Sequence, residues 1–427
     1  MNNLLAIRTP AGRVVGFHAK NLDVARLSSE AWEALGHVEN DSSADLISWN
    51  NEESSRVSEQ KNHVRSITIN VTQVCNLHCT YCAAGGDGSF GDPVKKISVE
   101  KTLPQIQFFL NKLSSGDTFR ITFLGGEPLL YPEGIKLIAD YALQLALEKN
   151  ISIEFVVVTN GTQFNEKTIS LLKEIKADIT VSIDGAADVN DQVRVTKAGK
   201  GTTSAVVQGL QNLLKEKKHL GRVGLSGVFT AFNSDLLSAY LFYNQFNVDW
   251  YDFTYDHTEV RKEVSDRFMH ELSQVAGQAF QIGGEKELRK IKLFDTYFQL
   301  LDSKVGTENY CGAGKSYLII DARNNLYTCP WVVGQKDEIV GSGVTLFDSE
   351  LKKYANPLIE QNGCQTCWAR HLCGGGCMFI HKNKTGDKHQ VDENFCERTR
   401  YLIAQAILYY EQSRSEERRV GKECTIQ

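Results

Sequence analysis

The sequence predicts an α/β fold built on a parallel sheet, followed by a cysteine-rich domain. Two observations carry this reading. From Arg65 onward, strand-sized apolar runs alternate with helical patterns, giving six βα units in succession. Seven of the eleven cysteines then crowd between Cys311 and Cys396. Parallel connections are right-handed, so the sheet is either doubly wound or curled into a partial barrel.

Taken in order, Leu4–Thr9 and Val14–His18 read as two strands around the turn Pro10-Ala11-Gly12. Ser28–Leu35 reads as a helix capped by Ser28 or Ser29, and the polar run Asn40–Gln60 as a linker. The expected strands of the sheet are Ser66–Thr72, Phe119–Leu124, Ile151–Thr159, Asp178–Ile183, Val223–Thr230 and Trp250–Tyr255. Helical patterns between them include Ser98–Leu113, Pro132–Glu148, Asn165–Ile175 and Thr202–Lys217. Two more helices are expected at Val260–Ile282 and Glu287–Leu301, and one near Arg400–Glu411. The tail from Arg414 to Cys424 resembles the translation of a common sequencing adapter or a charged disordered tail, so Cys424 receives no role. The chain thus divides into an N-terminal module and linker (1–60), a βα core (61–258), a helical connection (259–310), a cysteine-rich domain (311–413) and a tail (414–427).

Composition excludes several classes. A net charge of −5 gives no electrostatic footprint for nucleic acid or an anionic membrane. No run approaches membrane-span length, and the N-terminus lacks the pattern of a secretory signal, so a cytoplasmic location is expected. In that compartment thiols stay reduced, and clustered cysteines read as metal ligands before disulfides.

Cys75, Cys79 and Cys82 follow the first parallel strand, where active-site loops gather in parallel βα folds. Three thiolates at this spacing can hold three irons of a [4Fe–4S] cube and leave the fourth open. The competing reading is zinc, with His78 as fourth ligand. Gly125-Gly126-Glu127-Pro128 ends the second strand and Gly85-Gly86-Asp87-Gly88 follows the cysteines; the latter reads as a flexible turn. Downstream, Cys364-x₂-Cys367-x₅-Cys373-x₃-Cys377 and Cys396 follow Cys311 and Cys329, a spacing also compatible with a zinc ribbon. His371, His381 and His389 read as residues at the surface or behind the ligands.

The first cysteine group resembles the CxxxCxφC signature of the radical S-adenosylmethionine (SAM) superfamily, with Tyr81 as the aromatic residue, and Gly125–Pro128 resembles its GGEP motif. The resemblance implies a partial (β/α)6 barrel of the TIM type. It places a [4Fe–4S] cluster on Cys75, Cys79 and Cys82. SAM then meets Gly125, Gly126 and Glu127 through its ammonium group, Ser182 and Arg194 through its carboxylate, and Asn160 and Tyr81 nearby. One-electron cleavage of SAM would yield a 5′-deoxyadenosyl radical that takes hydrogen from a substrate.

The seven later cysteines resemble the SPASM extension of that superfamily, which binds auxiliary [4Fe–4S] clusters. The resemblance assigns Cys364, Cys367, Cys373 and Cys396 to one centre and Cys311, Cys329 and Cys377 to another, giving one or two auxiliary clusters. Seven ligands cannot close two four-ligand centres, so the resemblance leaves open whether one auxiliary iron lacks a protein ligand, a position that a substrate thiolate could fill. Asn324 stands where the family often has glycine, and Asn tolerates left-handed backbone.

SPASM-bearing relatives mostly modify peptides and proteins. The expected substrate is a short ribosomal precursor peptide with a leader, and the expected product a thioether or carbon–carbon cross-link. Flavodoxin or ferredoxin is the expected electron donor, and residues 1–60 a candidate leader-binding element or a structural cap. Anaerobic sulfatase maturases are the alternative, but they carry an acidic base where this chain has Pro330. A small-molecule oxidoreductase, or a non-enzymatic iron–sulfur or zinc scaffold that leaves SAM intact, would share the same cysteines.

Overall fold

The structure, a computed structural model, describes residues 3–9, 12–28, 32, 63–82, 94–256 and 258–423, the last eight of them as backbone only. Most of the expected helix at 28–35, the linker at 40–60 and the glycine turn at 85–88 lie outside the described residues. The chain forms two compact units. One comprises Gln60–Asp256 with Gly312–Ala355; the other comprises Met1–Glu59, His257–Cys311 and Asn356–Gln427.

The first unit carries the parallel sheet. Its strands are β4 (Ser66–Thr72), β5 (Thr118–Gly125), β6 (Ser152–Thr159), β7 (Asp178–Ser182), β8 (Val223–Phe229) and β9 (Trp250–Tyr255), numbered after three strands of the other unit. Each pairs in parallel with the next, in sequence order. Sequence order with right-handed crossovers puts every helix on one face, which is the arrangement of a curled barrel and not of a doubly wound sheet. The helices are α1 (Val99–Leu110), α2 (Pro132–Lys149), α3 (Glu166–Glu174), α4 (Ala187–Val193), α5 (Thr203–Lys215) and α6 (Leu236–Tyr243).

Burial follows the strand period. On β9, Tyr251 and Phe253 are buried while Trp250, Asp252 and Thr254 are only half-buried. The buried face packs under α6: the rings of Tyr240 and Tyr251 stand 5.8 Å apart, those of Tyr243 and Phe253 5.6 Å. The opposite, half-buried face is therefore the inner wall.

Four short strands extend the sheet past β4: β10 (Tyr317–Ile320), parallel to β4, then β11 (Asn325–Tyr327), β12 (Gly341–Ser342) and β13 (Thr345–Leu346), antiparallel. Asn324 makes the β10–β11 turn possible. It sits at φ 65°, as expected of a residue replacing glycine there. Its side chain donates to Thr102 Oγ1 and Gln105 Oε1, both at 2.9 Å, so it also pins the turn to α1. Asn324→Ala is expected to lose about 2–4 kcal/mol in urea unfolding, from left-handed strain plus the buried Gln105 Oε1 left without its donor. Asn324→Gly keeps the turn and is expected to lose about half of that.

In the second unit, β1 (Leu4–Arg8), β2 (Val14–His18) and β3 (Val24–Leu27) form an antiparallel sheet in sequence order. The first two strands were expected; β3, four residues long and interrupted by Arg26, gave no usable period. Helix α7 (Lys262–Leu288) leaves helical geometry at Gly283 and Gly284, which is where the sequence predicts a break, and α8 spans Lys292–Ser303. After α9 (Met378–Thr385), the last helix, α10 (Glu393–Glu423), runs past the expected Glu411 and into the tail set aside as adapter-like or disordered. Its Glu- and Arg-rich composition favours helix, and Arg414 pairs with Asp302 at 2.8 Å and Glu285 at 3.3 Å. No helix among the described residues is long and apolar enough to cross a membrane.

Candidate functional site

Because β4 to β8 are parallel, their C-terminal ends share one edge of the sheet. Each end delivers part of the site. The cysteine loop follows β4, Gly125–Glu127 close β5, Asn160 follows β6, Ser182 closes β7, and Thr230 follows β8. The cysteine loop is then held along residues 193–196: the amides of His78 and Thr80 donate to the carbonyls of Val195 (2.8 Å) and Val193 (3.0 Å). That pairing is what carries Arg194, at the end of α4, to the cysteines.

A buried network results. Tyr81 donates its hydroxyl to Asp184 and accepts from Arg194 Nη1 at 2.7 Å. Asp184 Oδ1 also accepts the Val228 amide at 3.0 Å. Arg194 Nε has no hydrogen-bond partner within the described protein. Burial lowers the basicity of Arg194, but the phenol of Tyr81 and the acids of Cys79 and Asp184 around it more than reverse this, leaving its pKa raised. Burial raises the pKa of Asp184, and Arg194 and Tyr81 partly offset the shift.

Glu127 is buried at the end of β5. Its Oε1 accepts from the Leu129 amide (3.0 Å) and Thr159 Oγ1 (2.7 Å), and Oε2 from the Asn160 amide (2.7 Å). Asn160 passes the connection on, donating to Asn76 Oδ1 at 2.9 Å and lying 3.7 Å from Cys75 Sγ. The glycines before Glu127 are forced by close approach. A Cβ on Gly125 would stand 2.1 Å from the Thr72 carbonyl oxygen, and one on Gly126 2.4 Å from the Val74 backbone.

The thiols respond to one another. Burial first, then Glu127, Cys79 and Cys82, push Cys75 up to about 11, against the Leu77 amide that donates to its sulfur at 3.4 Å. Cys79 is raised by burial, with Arg194 opposing. Such thiols stay protonated unless a cationic centre takes their charge, which is the fit an iron–sulfur cluster needs. Among the described residues no three His, Cys, Asp or Glu side chains converge as one metal ion would require. In a cubane each thiolate takes its own iron.

The site thus joins Cys75, Cys79, Cys82, Tyr81, Glu127, Asn160 and Arg194. Ser182 ends β7 half-buried, in register with Ser226. Sequence reading missed Asp184 and Asn76 as partners. An Asp before Gly after a strand looks like a turn, and only the meeting of three segments gives it a role.

In the second unit, Cys364, Cys367, Cys373 and Cys396 lie within electrostatic reach of one another. Burial chiefly, then the other three thiols, pushes Cys373 to about 12; burial also pushes Cys396 to about 11. Cys373 is approached by the Gly375 amide. Cys377 stands at the N-cap of α9, where the amides of Phe379 and Ile380 reach its sulfur, and its neighbouring thiol is Cys311. Backbone amides directed at sulfur are how proteins support iron–sulfur ligands. Cys329 lies in the other unit, after β11.

Residues 69–229 match the Radical SAM superfamily. The mycofactocin maturase MftC of Mycobacterium ulcerans is 27% identical over 335 residues, covering 73% of this chain and 82% of its own. Native anSMEcpe with bound AdoMet and Kp18Cys peptide shares the fold with a TM-score of 0.67 at 20% identity, over 81% of this chain and 97% of its own. Streptococcus suis SuiB bound to precursor peptide SuiA does so with a TM-score of 0.53 at 14% identity, over 92% and 98%. The superfamily match begins inside β4 and ends with the last residue of β8, so it spans the very strand ends that assemble the cysteine loop and its supports. Residues 69–229 therefore form a radical SAM domain, of the kind that works with a [4Fe–4S] cluster and SAM.

Proposed function

We propose that this enzyme matures a ribosomally made precursor peptide, joining two of its atoms in a thioether or carbon–carbon cross-link. The observation that carries the reading is the loop of Cys75, Cys79 and Cys82 at the C-terminal edge of the parallel sheet, flanked by a buried carboxylate and a buried guanidinium whose Nε has no partner among the described residues. Cys75, Cys79 and Cys82 would hold the cluster, whose chemistry, with SAM bound, is one-electron cleavage of SAM to a hydrogen-abstracting radical.

The protein's own part is positioning. Glu127 ties the ends of β5 and β6 together and fixes Asn160 beside Cys75. Gly125 and Gly126 let this edge press against β4, which leaves backbone rather than side chain facing a ligand amine. Arg194, held through Tyr81, keeps donors for a carboxylate in a site shielded from water. Ser182 lies on the same edge. Cys364, Cys367, Cys373 and Cys396 would form one auxiliary [4Fe–4S] centre, with Cys311 and Cys377 available to a second. Flavodoxin or ferredoxin would deliver the electron.

A peptide substrate is supported by the relatives. One is named a maturase, and two structures hold peptides, one of them a precursor. Sulfatase-type oxidation is disfavoured by Pro330, which follows Cys329 in a 3₁₀ turn and offers no proton acceptor. The β1–β2–β3 sheet is a candidate docking element for a leader.

Co-expression with a short open reading frame found beside the gene, followed by mass spectrometry, tests the proposal. The expected peptide is lighter by two hydrogens per bond formed. An unchanged peptide mass in cells where SAM is consumed would refute cross-linking.

A further inference from the structure

His381, on α9, is fully buried. Its Nδ1 accepts the backbone N–H of Asp392 at 3.1 Å. A ring nitrogen that accepts a hydrogen bond carries no proton, so this imidazole is neutral and holds its hydrogen on Nε2. That N–H meets no acceptor among the described residues. The Gly375 carbonyl lies close enough to influence the ring, but outside hydrogen-bond geometry at Nε2, and it is already engaged by Asn362 Nδ2 at 2.7 Å. Native structures rarely carry a buried donor without a use for it.

The surroundings of the ring suggest the use. A Cβ on Gly376 would stand 2.4 Å from Nε2. Gly376 ends the run Gly374-Gly375-Gly376, three successive left-handed residues (φ 73°, 91° and 83°) that lead from Cys373 to Cys377. The His381 amide donates to the Cys377 carbonyl at 3.0 Å. The ring meets Phe395 edge-on at 5.3 Å, beside Cys396, and Asp392 also accepts the Cys396 amide at 3.1 Å. One imidazole is thus packed against the chain neighbours of two cysteines, Gly376 beside Cys377 and Phe395 beside Cys396.

We propose that His381 is a positioning residue for the iron–sulfur centre of Cys373 and Cys396, its Nε2–H donating to an inorganic sulfide of that centre and raising the reduction potential. The inference rests on the reading that the C-terminal cysteines hold such a centre. A hydrogen bond to sulfur favours the reduced state, because that state carries the extra negative charge.

Potentiometric titration of the anaerobically reconstituted full chain, followed by electron paramagnetic resonance, tests it. His381→Asn keeps an acceptor for the Asp392 amide and removes the Nε2 donor. His381→Gln keeps a donor at the ε position. In His381→Asn the oxidised-to-reduced ratio of a C-terminal centre is expected to rise about tenfold at fixed potential, a fall of about 59 mV for a one-electron couple. Iron content and the potential of the Cys75–Cys82 centre stay as in the wild type, and His381→Gln recovers most of the shift. An unmoved potential at full iron content, or loss of iron in either variant, overturns the proposal and makes His381 a packing residue. Wild-type protein with no iron beyond the Cys75–Cys82 centre overturns the underlying reading and the proposal with it, before any variant is made.

Discussion

Replacing any one of Cys75, Cys79 or Cys82 by Ala is expected to abolish 5′-deoxyadenosine formation from SAM in reduced, anaerobically reconstituted protein. The three thiols sit on one loop, and its neighbours are fixed by contacts from β5, β6 and α4 that do not pass through the thiols. The fold therefore survives each change while one iron loses its ligand. Losing a group that merely supports a ligand costs roughly 10–100-fold in affinity or activity, and losing the ligand itself costs more than that. The measurement is product quantified by chromatography alongside iron and sulfide per chain. Circular dichroism should match the wild type, and about one cluster's worth of iron should be missing. Product formed at wild-type rates by any of the three variants would remove these cysteines from the chemistry.

Much of this site was legible from the chain alone, because its signals are local. The spacing of Cys75, Cys79 and Cys82 needs only eight residues, and the glycines before Glu127 announce a close backbone approach that the structure contains. The six parallel strands were equally plain, since each is long enough for its burial period to register. Sequence order within the sheet was not, and it is this order that decides between a barrel and a doubly wound sheet. Strands β10 to β13, of two to four residues, are too short to display a period. The pairing of the cysteine loop with residues 193–196 was also hidden, as strand pairing between distant segments leaves no mark on either one. Without it Arg194 reads as a surface residue, and Asp184 as a turn.

That hidden pairing makes Arg194 the most costly single side chain to remove from this edge of the sheet. It is buried, and it is the cation that partly offsets the burial of Asp184, Cys79 and Glu127. Arg194→Met fills much of the same volume and leaves Asp184 without that offset. Stripping the partner from a buried charge costs about 3–5 kcal/mol, and a loss of that size is expected in urea unfolding of the metal-free protein at neutral pH. The sign of its pH dependence follows from Asp184. Its folded pKa already lies above the ordinary 3.8, so the folded state binds its proton more readily than the unfolded state does. Removing Arg194 raises that pKa further. The electrostatic part of the deficit is then complete above the raised folded value, shrinks as pH falls through it, and is gone below 3.8. Adding Asp184→Asn removes the unpaired charge while leaving an oxygen for the Val228 amide, so the double variant should recover more than half of the lost stability. A deficit that stayed constant with pH, or that Asp184→Asn left untouched, would mean that Arg194 acts here through packing, with Tyr81 as the group it positions.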